Sequence, residues 1–324
     1  MYPFSFSKAA TAEAALAAGA GGGRYIAGGT TLVDLMRETV ERPSRLVDIN
    51  ALPYKGISVT SSGLRAGSLV RMSELAAHPD VRSLYPVISQ SLELSASAQL
   101  RNMASLGGNL MQRPRCPYFR DVNSACNRRE PGSGCDALHG DNRMQAVLGT
   151  SDKCVATHPS DFAVALVALD AVVHVRSTDT TRAIPVAQFF LRPRDTPQHE
   201  QALRPGELIT SVEVPAGAHT RRSGYLKVRD RQSYEFALAS AAVALDIRAG
   251  VIRDARVAVG GVATVPWRLP GVERALVGQR PGRKVWTDAA AYAADGATAL
   301  SGNAFKIQLV ERTVRRQLMT IGGQ

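Results

Sequence analysis

Apolar residues along the first 50 positions are spaced in a way that predicts short helices and strands in alternation. The spacing predicts a helix over residues 11–18, a strand over 24–27, a helix over 32–36 and a strand over 45–49. Strand, helix and strand in this order predict a βαβ-like unit whose turn lies at the glycines after the first strand.

The rest of the chain predicts two further blocks of structure. The first contains a hairpin, a helical stretch broken at two prolines, another helix and two strands, at residues 56–70, 72–94, from Ser160 onward, 171–176 and 208–214. Beyond residue 222 come three strands and two helices, at 223–228, 239–247, 254–262, 287–300 and 303–320. This second block predicts a separate small α+β domain of antiparallel strands backed by helices.

Composition narrows the class of protein. The chain has 324 residues, of which 45% are hydrophobic and 21% charged, as in soluble globular proteins of two or three domains. The longest apolar run, at 162–169, is too short for a membrane span, and the first residues lack the basic and apolar regions of an export signal. We therefore expect no membrane span and no export signal on this chain.

The charge of the chain is typical of a generally basic protein and gives no reason to expect a nucleic-acid partner. Lysine and arginine number 39 against 28 acidic residues, which gives a net charge of +11. The basic residues are scattered along the chain and form no stripe interleaved with aromatic residues, so we expect no nucleic-acid partner. Anion sites or an acidic partner subunit fit the charge equally well.

A glycine turn follows the strand predicted at 24–27. Gly28-Gly29-Thr30-Thr31 lies between a strand and a helix, where glycines let the backbone approach a phosphate and free amides point at it. A tight turn with Thr30 or Thr31 as helix cap explains the same residues equally well. Asp161, in the first turn of the helix that starts near Ser160, has an ordinary role there as a carboxylate favoured by the helix dipole.

All four cysteines fall in one stretch of the chain. Cys116, Cys126, Cys135 and Cys154 are separated by nine, eight and eighteen residues, with no CxxC pair. Four thiolates on a long loop are compatible with a cubane iron–sulfur cluster. A zinc site with three cysteines and His139 or His158 fits the spacing as well, and local disulfides fit it less well.

Several of these motifs together resemble one protein family. Ala27-Gly28-Gly29-Thr30-Thr31-Leu32-Val33, Ala104-Ser105-Leu106-Gly107-Gly108-Asn109-Leu110 and Ser160-Asp161 resemble the FAD-binding medium subunits of the molybdenum hydroxylases. That family includes xanthine dehydrogenase, carbon monoxide dehydrogenase and aldehyde oxidoreductases. The stretch 112–119 and Gly132-Ser133-Gly134-Cys135 resemble the branch of bacterial periplasmic aldehyde oxidoreductases, whose FAD subunit also carries a 4Fe-4S cluster.

The resemblance implies a fold and its division. It implies an α+β chain with a two-lobed FAD-binding domain of the vanillyl-alcohol-oxidase/PCMH type, followed by a small α+β C-terminal domain. Residues 1–55 would form the first lobe, 56–218 the second lobe with an iron–sulfur insert at 111–156, and 219–324 the C-terminal domain.

The resemblance also implies which residues bind the cofactors. The flavin contacts would be Ala27, Gly28, Gly29, Thr30, Thr31, Leu32, Val33, Ser105, Gly107, Gly108, Asn109, Asp161, Lys227 and Tyr234. Lys227 would otherwise be a surface lysine on a strand. The four cysteines would bind a 4Fe-4S cluster, and no residue of the chain would act as a catalytic acid or base.

The function implied is electron transfer within a heterotrimer. A large subunit with the molybdenum cofactor would oxidise the substrate, a small subunit would carry 2Fe-2S clusters, and this chain would pass electrons through FAD to an external acceptor. Export to the periplasm would depend on a signal-bearing partner, with the cytoplasm as the alternative. A zinc-stabilised scaffold without flavin and a stand-alone flavin oxidase are the competing hypotheses.

Overall fold

A small parallel sheet organises the first lobe. In the computed structural model of the chain, which describes residues 1–323, this sheet has the order β1-β3-β2. Its elements are β1 (Ser5–Lys8), α1 (Ala12–Ala20), β2 (Arg24–Ile26), α2 (Leu32–Arg37) and β3 (Arg45–Asp48). Because β2 and β3 pair in parallel with α2 between them in sequence, the predicted βαβ-like unit is confirmed.

The second lobe contains an antiparallel sheet of five strands in the order β4-β5-β8-β6-β7. Its strands are β4 (Ile57–Val59), β5 (Gly63–Gly67), β6 (Val172–Arg176), β7 (Thr181–Pro185) and β8 (Leu208–Pro215). Its helices are α3 (Met72–Ala77), α4 (Pro79–Leu84), α5 (Pro86–Glu93), α6 (Ala98–Met103), α7 (Leu106–Leu110), α8 (Pro117–Arg120), α9 (Asp161–Ala168) and α10 (Val186–Phe189). Pro79 and Pro86 each occupy the first turn of a new helix, so the predicted breaks are confirmed.

Helix α9 lies at the centre of the molecule. All of its residues are buried, and it packs against α5 and against two later strands, β10 (Ala239–Arg248) and β11 (Val251–Gly260). Ser160 begins the helix by accepting a hydrogen bond from the amide of Ala163 at 3.0 Å. Each large side chain on this helix, such as Phe162 or Leu166, contributes about 1.5–3 kcal/mol by its burial. A helix that is apolar on almost every side requires protein around it, which explains its place between helix α5 and the strands β10 and β11.

The C-terminal domain is an antiparallel sheet in the order β12-β11-β10-β9, covered by helices. Its elements are β9 (Ser223–Val228), β10 (Ala239–Arg248), β11 (Val251–Gly260), β12 (Trp267–Arg268), α11 (Pro270–Leu276), α12 (Arg283–Ala290) and α13 (Phe305–Gly322). The predicted antiparallel sheet backed by helices is thus confirmed. No helix within residues 1–323 is long and apolar enough to span a bilayer.

One helix boundary in this domain was wrongly predicted. A single helix was expected over residues 287–300, but α12 ends at Ala290 and only a 3-10 turn, Ala291–Ala294, follows. The chain then reaches Gly296 with a φ of 77°, which an α-helix cannot contain. The preceding helix α11 carries only two buried apolar residues, which is too little periodicity to predict it.

Candidate functional site

The turn between β2 and α2 is held tightly against the second lobe. A Cβ atom at Gly28 would lie 2.0 Å from the carbonyl oxygen of Met103, so only glycine fits at this position. Gly29 has a φ of 71°, which also favours glycine. Thr31 precedes α2 but its side chain makes no capping hydrogen bond, so capping does not account for this threonine. The turn therefore presents closely approachable backbone, as phosphate binding requires.

The second glycine turn begins α7. Ser105 caps this helix by accepting a hydrogen bond from the amide of Gly108 at 3.2 Å. The amide of Gly107 donates to the carbonyl of Ser68 at 2.8 Å, and a Cβ atom at Gly107 would lie 3.0 Å from the Cβ of Ser68. The contact of Gly28 with Met103 joins the two lobes, and residues of both glycine turns line one cavity between them.

Three adjoining cavities lie along these turns, and Gly108 contributes to the wall of each. The first, of about 100 Å³, lies over the turn between β2 and α2. The second, of about 520 Å³, extends toward residues 198–209. The third, of about 400 Å³, extends toward Asp161 and Tyr234. We call the three cavities together the groove, and their sizes suit a long cofactor.

Most of the predicted flavin contacts line the groove. They are Ala27, Gly28, Gly29, Thr30, Thr31, Leu32, Ser105, Gly107, Gly108, Asn109, Asp161 and Tyr234. Val33 and Lys227 are not among the residues that line it; Val33 is exposed on α2. Tyr234 has a φ of 55°, an unusual backbone conformation for a tyrosine that is common at binding sites.

Unpartnered polar atoms in the groove fit a polar ligand. Among the described residues, Ser68 Oγ and Gln198 Oε1 in the second cavity and Arg115 Nε in the third are shielded from solvent and have no hydrogen-bond partner. Buried polar atoms are normally satisfied, so these three positions are suited to contacts with a bound molecule. The residues present therefore fit FAD, a long and polar dinucleotide.

Asp161 and Lys227 form a buried ion pair beside the third cavity. Lys227 Nζ donates to Asp161 Oδ2 at 2.7 Å, and the two side chains are 1% and 7% exposed. The hydroxyl of Tyr225 donates to Asp161 Oδ1 at 2.8 Å, and burial raises the pKa of Tyr225 well above its usual value. The surface interpretation of Lys227 is therefore wrong, because its ammonium group holds the Asp161 carboxylate in the cavity wall.

The insert brings the four cysteines together around one small cavity. All four cysteines line this cavity. The backbones of Cys126 and Cys135 pair with each other in an isolated antiparallel β-bridge. All four are free thiols, so the local disulfides considered above are not formed. Burial raises the pKa of Cys116 to about 11. A buried thiolate needs nearby positive charge, from a metal centre or from a basic side chain.

The histidines considered for a zinc site lie elsewhere. His139 is exposed and neither His139 nor His158 lines the cysteine cavity. No three histidine, cysteine, aspartate or glutamate side chains in residues 1–323 converge in a way that suits a single metal ion. The zinc set of three cysteines and a histidine therefore lacks its histidine in this arrangement.

A further cavity separates the cysteines from the groove. It measures about 180 Å³ and shares Cys116 with the cysteine cavity and Arg115 and Asp161 with the third cavity of the groove. His158 also lines it. Burial and, to a lesser extent, the charge of Arg128 lower the pKa of this histidine to about 3, so the ring is neutral. Only one small cavity thus lies between the thiols and the groove.

Hydrogen bonds and ion pairs fix the insert to the rest of the chain. Ser160 Oγ donates to Asn109 Oδ1 at 2.6 Å, which joins the two ends of the insert. Arg120 donates to Asp34 and Glu38 on the first lobe, each at 2.6 Å. The cysteine cavity is therefore held in a defined position relative to both lobes.

Some residues at the site carry no signal in the sequence. The segment 198–209 lines the second cavity, but its only motif is Pro205-Gly206, which indicates a turn and no ligand. Arg128 and Glu200 form a buried ion pair at 3.1 Å although they lie far apart in sequence. Only the folded structure brings these groups together.

Comparison with known proteins identifies the family. A model described as the FAD binding domain in molybdopterin dehydrogenase matches residues 2–217, and one described as the CO dehydrogenase flavoprotein C-terminal domain matches residues 224–321. The chain belongs to the FAD-binding medium subunits of the molybdenum hydroxylases. It is therefore an oxidoreductase subunit of this family, FAD is its cofactor, and the expected α+β fold is confirmed.

Individual members of the family agree over nearly the whole length. The FAD-binding subunit of an aldehyde oxidoreductase from Escherichia coli is 46% identical over 97% of this chain and 96% of its own. The medium chain of glyceraldehyde dehydrogenase from Sulfolobus acidocaldarius is 27% identical over 86% of this chain and 84% of its own. The structure of carbon monoxide dehydrogenase from Hydrogenophaga pseudoflava superposes with a TM-score of 0.76 at 23% identity and covers 98% of this chain and 97% of its own, which supports the fold.

Proposed function

We propose that this chain is the electron-transferring FAD subunit of a three-subunit, molybdenum-containing aldehyde oxidoreductase. The observation that carries the proposal is the arrangement of the groove and the cysteine cavity, separated by one cavity of about 180 Å³. The 46% identity to the FAD-binding subunit of an aldehyde oxidoreductase supports the substrate class. The division at residues 55 and 218, and the insert at 111–156, remain predictions.

The two glycine turns would hold the FAD. Backbone amides at Gly28 to Thr31 would bind its phosphates. Gly107 to Asn109, whose amides already donate within the protein, would form the second loop against the cofactor. Asp161 and Tyr234 would lie beside the flavin ring in the third cavity. When bound, FAD supplies one- and two-electron chemistry, and the protein positions it and limits access of water.

The four cysteines would hold a 4Fe-4S cluster. Four free thiols line one cavity, and three of them are no more than 9% exposed, which matches the ligand set of such a cluster. Arg128 also lines that cavity, and its buried Nε has no partner among the described residues. The guanidinium is paired with Glu200 on one side, and its unsatisfied Nε beside the four thiols suits an anionic centre better than an empty space.

The proposed complex contains two partner subunits. A small subunit with 2Fe-2S clusters would deliver electrons from a large molybdenum subunit, and this chain would pass them to an external acceptor. The complex would reach the periplasm through the export signal of a partner, with the cytoplasm as the alternative. A role in electron transfer needs no catalytic acid or base on this chain, which agrees with the commitment of Asp161 to Lys227 and Tyr225.

Cofactor analysis of the purified complex tests the proposal. We expect FAD, together with the iron and acid-labile sulfide of a 4Fe-4S cluster in excess of the amounts that 2Fe-2S clusters on the small subunit require. The isolated chain should be yellow-brown, should bleach with dithionite and should not oxidise aldehydes. Stoichiometric zinc without labile sulfide, or aldehyde oxidation by the isolated chain, would contradict the proposal.

Replacing Cys126 with serine should remove or convert the cluster and leave FAD in place. Cys126 is 7% exposed and lines the cysteine cavity, whereas it is not among the residues that line the groove. Iron and labile sulfide content and the absorbance of the flavin measure the two effects separately. Val122→Ala is a control, since Val122 lies in the same insert and is 39% exposed. An unchanged iron content in the Cys126 variant would rule out the role of Cys126 as a ligand.

A further inference from the structure

Arg128 is a buried arginine in direct contact with one of the four cysteines. Its Nη2 donates to the sulfur of Cys154 at 3.5 Å, and the residue is only 7% exposed. Its Nη1 lies 3.1 Å from Glu200 Oε2, and its Nε is buried without a partner among the described residues. The guanidinium therefore faces the thiols on one side and a carboxylate on the other.

The neighbouring arginine shows what a structural role looks like in this loop. Arg129 donates to the carbonyls of Tyr118 and Phe119, each at 2.8 Å, and also to the carbonyl of Ser124. These bonds tie the turns of the insert together. Arg128, in contrast, donates to no backbone carbonyl within the described part of the chain. Its position is explained by charge toward the cysteine cavity and not by support of the loop.

Glu200 connects this charge to the groove. Its Oε1 accepts a hydrogen bond from Arg113, which also donates to Glu41. Glu200 lines the second cavity of the groove, while Arg113 and Glu41 line the first. These four side chains thus form a row of alternating negative and positive charges that runs from the groove to Arg128, beside Cys154.

We infer that Arg128 is a positioning residue that raises the reduction potential of the iron–sulfur centre held by the four cysteines, and that Glu200 offsets part of its charge. The inference rests on the proposed 4Fe-4S cluster. Reduction adds negative charge to such a centre, so a buried cation at 3.5 Å from a ligand sulfur favours the reduced form. Net charge and hydrogen bonds to the sulfurs are known determinants of cluster potential.

Two substitutions should move the potential in opposite directions. Arg128→Gln removes the cation and should lower the midpoint potential of the cluster. Glu200→Gln removes the opposing carboxylate, while Arg113 keeps its bond to Glu41, and should raise the potential. We expect each change to alter the ratio of reduced to oxidised cluster about tenfold at a fixed ambient potential, which is 59 mV for a one-electron couple.

Arg143→Gln is the matched control. It removes one positive charge from the same insert, but its side chain is 47% exposed and pairs with Asp230, so water screens it, and it is not among the residues that line the cysteine cavity. We expect little change in the potential of this variant. A shift as large as that of Arg128→Gln would mean that any charge on the loop has the same effect, and it would overturn the special role of Arg128.

The experiment is a redox titration of the purified complex followed by the electron paramagnetic resonance signal of the cluster. Iron, labile sulfide and FAD are measured on the same samples, so that loss of the cluster is recognised. Opposite shifts in the two variants support the inference, and unchanged or parallel shifts overturn it. If Arg128→Gln loses its iron, Glu200→Gln decides alone, with an upward shift required. A wild-type complex without a 4Fe-4S signal would overturn the proposed function and this inference with it.

Discussion

Replacing Gly28 with alanine should weaken FAD binding at least about tenfold, which corresponds to about 1.4 kcal/mol. The added Cβ would lie 2.0 Å from the carbonyl oxygen of Met103 and 2.7 Å from its carbon. Both are backbone atoms that cannot rotate away, so the turn itself must move. Because this turn forms the wall of the first cavity, its movement changes the surface that would bind the phosphates. The measurement is the FAD content after dialysis and the dissociation constant from flavin fluorescence.

Gly56→Ala is the control for this substitution. A Cβ atom at Gly56 meets nothing within 4 Å, so this variant should bind FAD like the wild type. Gly108 provides a graded comparison, because a Cβ there would meet only the Ser105 hydroxyl, at 3.0 Å. We expect Gly108→Ala to bind FAD better than Gly28→Ala. Full FAD occupancy in the Gly28 variant would contradict the assignment of this turn to the cofactor.

Replacing Lys227 with methionine should have the largest effect on stability. The substitution leaves the carboxylate of Asp161 buried without its cation, and loss of one partner of a buried ion pair costs about 3–5 kcal/mol. Asp161 also lines the third cavity, so the variant should lose FAD as well as stability. The midpoint of thermal unfolding and the FAD content measure the two effects.

Lys284→Met is the matched control for stability. Lys284 Nζ also lies close to a carboxylate, at 2.5 Å from Asp288, but the two side chains are 86% and 58% exposed. Exposed pairs of this kind contribute about 0.3–0.5 kcal/mol at most, so we expect almost no change. If the two lysine variants unfolded at the same temperature, the buried pair would not have the importance assigned to it here.

The sequence predicts those parts of the fold that need particular residue types. Gly28 and Gly29 are such positions, since a close backbone approach and a φ of 71° exclude side chains. Pro79 and Pro86 begin new helices for an equally local reason, as does Ser160 with its capping hydroxyl. The family could be predicted because these local requirements coincide in one order along the chain.

Other features depend on contacts between distant residues and leave no local pattern. Strand β1 was not predicted because its short, mostly exposed sequence has no buried apolar alternation, and it forms by pairing with β3. The partner of Asp161 could not be predicted either, because Lys227 lies on a strand of the other domain. The row from Arg128 to Glu41 likewise joins residues that only the fold brings together.

The central position of α9 has a consequence for dividing the chain. Its apolar cluster includes Tyr225, Ala242 and Ala258 of the C-terminal sheet together with residues of the second lobe. The second lobe and the C-terminal domain therefore share one hydrophobic core. A protease cut between Pro215 and Ser223 would leave the two fragments attached to each other. Either fragment produced alone would expose part of that core and would tend to aggregate. We therefore expect the two regions to unfold together in a single transition, although they are separate in sequence.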